Sequence, residues 1–320
     1  SNTAVGYQSL LANTTGTQNT ALGTNALDAN TTASNNTAIG YDSLGLNTTG
    51  TFNSAVGSEA LRQNTTGGSN TAVGLNALQQ NTTASNNTAL GTSALGANTT
   101  GASNVAVGSL ALDANTTGAD LTAVGSGALG ANTTGSFNVG IGKEALRANT
   151  TASSNTALGY NTMASTITGS GNVGVGTLAL GANTTASNNT AVGNEALRVN
   201  TTGANNVAVG ALALDANTTA SNNTAVGYNS LGANTTGDRN VALGFEAMFT
   251  NSVGDRSVAV GFQALYSQNP ASKEDLNNVA IGYSAGFAMT TGSGNVAIGE
   301  AALDANTTAD NNTAVGARSL

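Results

Sequence analysis

Glu59 with Arg62, Glu144 with Arg147 and Glu195 with Arg198 repeat one acid–base spacing three times along this chain. Catalysis by paired carboxylates needs two acids held at a set separation. Here Asp28, Asp42, Glu59, Asp113 and Glu144 are scattered, and the three recurring pairs read as exposed ion pairs worth little. The chain has no histidine and no cysteine, which excludes imidazole bases, thiol nucleophiles, disulfides and zinc sites built on either residue. The dense Gly-Gly-x-Gly-x-Asp pattern of calcium-binding nonapeptides is also missing. The expectation is a protein that is not an enzyme and carries no cofactor.

Recognition is the chemistry left. The residue after a recurring glycine is aromatic in four successive units, at Tyr228, Phe245, Phe262 and Tyr283. Phe249, Tyr266 and Phe287 lie nearby, and the segment from Ser267 to Asn278 carries the single proline, Pro270. Aromatic faces stack on sugar rings, and an insertion beside them could shape a pocket. The plainer alternative is an aromatic ladder that stiffens this stretch or fills an oligomer interface. The many "NTT" triplets are formal glycan acceptors, and "SNNTA" supplies more. They would equally form a regular threonine array of the kind that meets ice. Interruptions at Thr166, Asn251, Gln268 and Met289 argue against a surface tuned for flatness.

The charge balance narrows the partners. Eight basic against sixteen acidic residues give a net charge of −8, without the basic clustering that grips nucleic acid. No apolar run approaches the roughly 20 residues that cross a bilayer, so direct membrane insertion is not expected. The repeat already includes Ser1 to Tyr7, so no signal peptide, stalk or anchor is expected within this chain.

The elements that must position these groups come from one repeat. Gly6 returns at Gly23, Gly40 and Gly57 and onward to Gly261 at intervals of 17; a four-residue insertion within 262–281 then delays Gly282, after which Gly299 and Gly316 resume. Seventeen residues are too few for helix-pair repeats or propeller blades and suit one turn of a β-solenoid. The expected architecture is all-β: a single repetitive domain over 1–320, with about 18 parallel coils.

Each unit holds two stretches that read as extended, "TAVG" and "xALx", separated by polar turns. Alternation puts the aliphatic residue before the glycine on one face and alanine on the other. The expected coil core is therefore Val5, Leu10, Leu22, Leu27, Ile39 and Leu44. The alanine face, broken only at Gly140 and Gly174, then reads as the side that another chain covers. Two large aliphatic side chains per seventeen residues make a thin core, so an obligate oligomer is expected. Asparagine stands four residues before the glycine in 17 of 19 units, with Leu121 and Ser257 the exceptions. Stacked coils would set Asn36, Asn53, Asn70, Asn87 and Asn104 about 4.8 Å apart, as a structural ladder at the coil corners.

Segments such as "NVAVGSLAL" (104–112), "SVAVGFQAL" (257–265) and "NVAIGEAAL" (295–303) resemble the YadA-like head repeats of trimeric autotransporter adhesins, and also repeats of phage tail fibres. The resemblance covers nearly the whole chain. It implies a left-handed parallel β-roll, a parallel homotrimer, and attachment to a host glycan or extracellular-matrix ligand. It also implies a place outside the cell, on a bacterial surface attached to the outer membrane, or on a virion tail fibre. The best-known heads use fourteen residues per coil, so the extra three enlarge the "NTT" corner here.

Overall fold

The computed structural model describes all 320 residues. It is all-β without a helix, and hence without any helix long and apolar enough to cross a membrane. Two compact units are present, residues 1–157 and 158–320. The first carries β1 (Thr3–Val5) through β9 (Val139–Ile141), β10 (Thr156–Leu158) holds the division, and the second carries β11 (Val173–Val175) through β19 (Thr313–Val315). Both units are parallel β-solenoids with about 17 residues per turn, and the turns number about 18 in all. Successive strands pair in strict register: Thr37, Ala38 and Ile39 face Ser54, Ala55 and Val56, and every pair aligned in this way is parallel.

The recurring glycine sets that register. Gly40 has φ +135°, a conformation that side chains rarely adopt, and a Cβ there would be driven into the carbonyl oxygen of Gly57 on the next turn. Two residues on, Asp42 has φ +55°, and two further Leu44 has φ +51°. This alternation of left-handed residues recurs in the other turns. The "xALx" stretch is therefore a chain of turns, not the second extended stretch expected from its pattern. It still joins the ladder: the Asp42 N–H donates back to Thr24 O at 3.0 Å and the Leu44 N–H forward to Ala60 O at 3.0 Å. A left-handed leucine costs about 1–2 kcal/mol. Its side chain is fully buried, which returns roughly 1.5–3 kcal/mol. That balance keeps the site leucine or methionine, with Gly286 (φ +61°) the one exception.

The two faces of the strand are the reverse of the expectation. The alanines lie inside: Ala21, Ala38, Ala55 and Ala72 are fully buried, as are Leu27 and Leu44. Val5 and Leu22 are 58% and 47% exposed, and Ile39 is half-buried on the same outer side. Leu10, on the first turn, is half-buried. The coil is thinner than the pattern suggested. With a second alanine or serine beside the leucine, the strand alanine is all the interior has room for; the branched residue before the glycine must point outward.

Asparagines fill the rest of the interior in two ladders. In Asn36, Asn53, Asn70, Asn87 and Asn104 the side-chain oxygen accepts the N–H of the matching residue one turn on, at 2.9–3.0 Å from Asn53, Asn70, Asn87, Asn104 and Leu121. The amide nitrogen donates to a corner carbonyl, as Asn36 does to Gly50 O at 2.9 Å. Amide-to-amide bonding runs along the first residue of "NTT", where Asn47 Nδ2 donates to Asn30 Oδ1 at 3.1 Å and Asn64 Nδ2 to Asn47 Oδ1 at 2.8 Å, and joins the other ladder near the C-terminal end, where Asn312 Nδ2 donates to Asn295 Oδ1 at 3.0 Å. These ladder asparagines do not take the left-handed backbone. In the Asn36 series the residue before them does, as at Asn35 (φ +61°).

Candidate functional site

With Leu44 and its equivalents turned inward, the residues one and five places after the glycine turn outward. Where both are aromatic they form two rails along the stack. The first is Tyr228, Phe245, Phe262 and Tyr283, stacked with ring centroids 5.4, 5.2 and 5.1 Å apart and planes within 17° of parallel. The second is Phe249, Tyr266 and Phe287, at 5.6 and 5.2 Å. Between the rails lies a polar row, in which Gln263 Nε2 donates to Glu246 Oε2 at 2.8 Å. The structure thus sets the six sequence-selected aromatics into two separate rails, with the nearby Phe287 as the last rung of the second. That rail was visible only as nearby aromatics; its signal is an aromatic residue five places after three successive glycines.

Both rails end at the same step. Beyond Tyr283 and Phe287 the corresponding residues are Glu300 and Asp304, and an open cleft of about 540 Å³ occupies the drop. Gln263, Ser284 and Arg318 complete its polar lining, with Arg318 Nη2 3.4 Å from Glu300 Oε1.

The insertion does not shape this cleft. Pro270 and Leu276 are buried against Gly254, and a short parallel bridge joins Asp255 to Asp275. Lys273 Nζ reaches Asp238 Oδ2 at 2.6 Å and donates to Thr236 O at 2.7 Å, while Arg256 pairs with Asp275 at 2.7 Å. The loop is clamped to the corner, where Gln268 stands in for the ladder asparagine and accepts from Asn278 Nδ2 at 3.1 Å.

No protein-family model matches the chain, and no curated protein matches it in sequence.

The rest of the surface sorts the other candidates. The "NTT" asparagines between Asn30 and Asn234 are buried and bonded, Asn30 Nδ2 to Asn13 Oδ1 and to Ala33 O, so the folded chain withholds them from glycan attachment, while Asn13 and Asn306 are half-buried. The "NNT" series leaves acceptors such as Asn86 exposed. The first threonine of each triplet turns its hydroxyl to the neighbouring turn, as Thr48 Oγ1 does to Thr65 O at 3.1 Å. The second forms the outer row, which Val253 and Pro270 interrupt. The ion pairs are present at the surface: Arg147 to Glu144 at 3.3 Å, Arg198 to Glu195 at 3.0 Å, and Arg62 to Glu59 at 3.7 Å with Asp42 at 2.6 Å. Asp28, Asp113 and Asp215 share one repeat position, and burial raises the carboxyl pKa of each above its ordinary value. Burial does the same at Asp255 in the insertion corner.

A third outward feature is aliphatic. Leu22, Val56, Leu90 and Ile141 in the first unit, and Leu158, Val226, Ile281 and Ile298 in the second, are exposed on the outer strand face. Each unit so carries an apolar stripe that its own coils do not cover.

Proposed function

We propose that the chain is an extracellular adhesive head or fibre segment, a left-handed β-roll assembled as a parallel homotrimer on a bacterial surface or a virion tail fibre. The observation that carries this reading is the aliphatic stripe, exposed or half-buried along the outer strand face of both units, on turns whose backbones are bonded to one another. Contiguous apolar surface of this kind marks association, and a second and third copy of the same chain match its period. The partner-covered face is then the valine, leucine and isoleucine side, in place of the alanine side suggested by the sequence. Adhesion is assigned to the other surfaces, where the aromatic rails end at an open cleft and hydroxyl groups repeat along the stack, facing a glycan or matrix ligand. Nucleic acid is disfavoured by the acidic balance.

A passive structural filament is the second reading, and the mutual stacking of the rail rings favours it, since a stiffening ladder needs no ligand. Binding of the purified chain to arrayed glycans, immobilised matrix proteins and whole cells separates the two. The adhesive reading predicts saturable binding to at least one of these. Absence of saturable binding to all of them, by well-folded protein, would contradict it and leave the filament.

A further inference from the structure

The geometry points to the cleft at the end of the two aromatic rails as a binding site for a neutral pyranose sugar. This inference rests on the attachment reading above and names its ligand class.

Stacking decides where a sugar could sit. Phe245 and Phe262 have another ring against each face, so the rail interior offers only ring edges, at 42% and 38% exposure. Tyr283 closes the first rail and is 59% exposed; the face turned toward Glu300 has no ring against it. Phe287, half-buried, closes the second rail with no ring beyond it, beside Asp304. Two aromatic faces that no other ring covers therefore border one cleft, whose volume of about 540 Å³ falls within the roughly 300–1,000 Å³ of small-ligand sites.

The polar lining selects among ligands. A pyranose has an apolar face of axial C–H groups for an aromatic ring and equatorial hydroxyls at its rim that both donate and accept. Asp304 and Glu300 accept, Arg318 donates, and the Ser284 hydroxyl does either. An acidic sugar would meet two carboxylates on a chain of net charge −8. A quaternary ammonium would meet Arg318, which lies 3.4 Å from Glu300. A purely apolar ligand would strand the carboxylates without partners. Of these ligands the neutral sugar uses both the ring faces and the donating and accepting rim without adding a charge, and choline is the competitor that the test must separate from it.

Saturation-transfer NMR with methyl glucoside, galactoside, mannoside and N-acetylglucosaminide tests the site, with choline and sialic acid as charged controls. Transfer to the ring protons of at least one neutral pyranoside is expected. Tyr283→Ala and Phe287→Ala should each weaken it about tenfold, while Phe245→Ala, inside the rail, leaves it unchanged. Asp304→Asn, an exposed substitution that does not disturb packing, should weaken it several-fold and decides the matter if an aromatic variant fails to fold. No transfer to any neutral pyranoside, preference for choline or sialic acid, or equal loss in Phe245→Ala overturns the assignment. The surface-binding assay keeps the two readings apart. Attachment that persists in Tyr283→Ala/Phe287→Ala sinks the cleft alone, whereas a wild-type chain that attaches to nothing sinks the attachment reading even where free pyranoside binds.

Discussion

At the scale of single residues, the interior is governed by what fits behind a left-handed leucine. Leu27, Leu44 and Leu61 accept φ values of +51° to +54° because burial of the side chain outweighs the backbone cost. Partial burial on the outer wall raises the proton affinity of carboxyls one residue later. Asp28, Asp113 and Asp215 are desolvated by burial, and Asp28 Oδ1 has no hydrogen-bond partner. A carboxyl whose folded pKa lies above its unfolded value stabilises the fold below the unfolded pKa, and that contribution is lost as pH rises through the folded pKa. At about pH 7 these carboxylates therefore cost stability, whereas near pH 3 they do not. Asp28→Asn, Asp113→Asn and Asp215→Asn should each raise Tm at neutral pH, with the gain vanishing in acid. Thermal melts at the two pH values check this; an equal gain at both would show that desolvation of the charge is not the cause. Only part of this scale was legible from sequence. The glycine, leucine and asparagine positions stood out by period. The direction in which the strand residues point did not, because alternation yields two faces without saying which is inside.

At the scale of one turn, the structure is a closed set of compensations between neighbouring positions. Ser257 replaces a ladder asparagine and still passes the bond on, its Oγ accepting the Asn278 N–H at 3.3 Å. Asn251 turns both its amide groups to Gly254, which leaves Asn234 Oδ1 without a partner, so the ladder lapses there. The clearest compensation joins Gly174 and Thr162. Gly174 takes the place of the strand alanine, and a Cβ on it would lie 2.8 Å from Thr162 Cγ2 and 3.2 Å from Met163 Cε. Thr162 is the one threonine at a position otherwise alanine or serine, and its hydroxyl donates to Gly176 O at 2.6 Å. Its extra methyl fills the space that the missing alanine methyl vacates. Gly174→Ala alone should destabilise by about 1–3 kcal/mol through overpacking, and Thr162→Ala alone by about 1 kcal/mol through the void. The double variant restores the consensus packing and should lie near wild type in equilibrium unfolding. Additive losses would refute the compensation. Each departure was visible in the sequence as an isolated exception. Their coupling was not, because residues twelve apart become neighbours only once the turn has closed.

Across the whole molecule, regularity itself generates the surfaces. A period of 17 sets every outward residue in line with its counterpart, so chance aromatics become rails and the branched residue before each glycine becomes an apolar stripe. The solenoid class, its period and the insertion were legible because glycine spacing is counted directly. The direction of the alanine face was misread because alanine, held so uniformly, suggested contact with another chain, whereas it lines the interior of the coil. Its uniformity comes instead from an interior too narrow for anything larger. The account depends on the outer stripe being covered by copies of the same chain, and the mass of the particle in dilute solution, measured by light scattering after size exclusion, tests this most directly. The account predicts about three times the 31.0 kDa of one chain. A stable, soluble particle of 31.0 kDa, with its aliphatic stripe facing water, would contradict it.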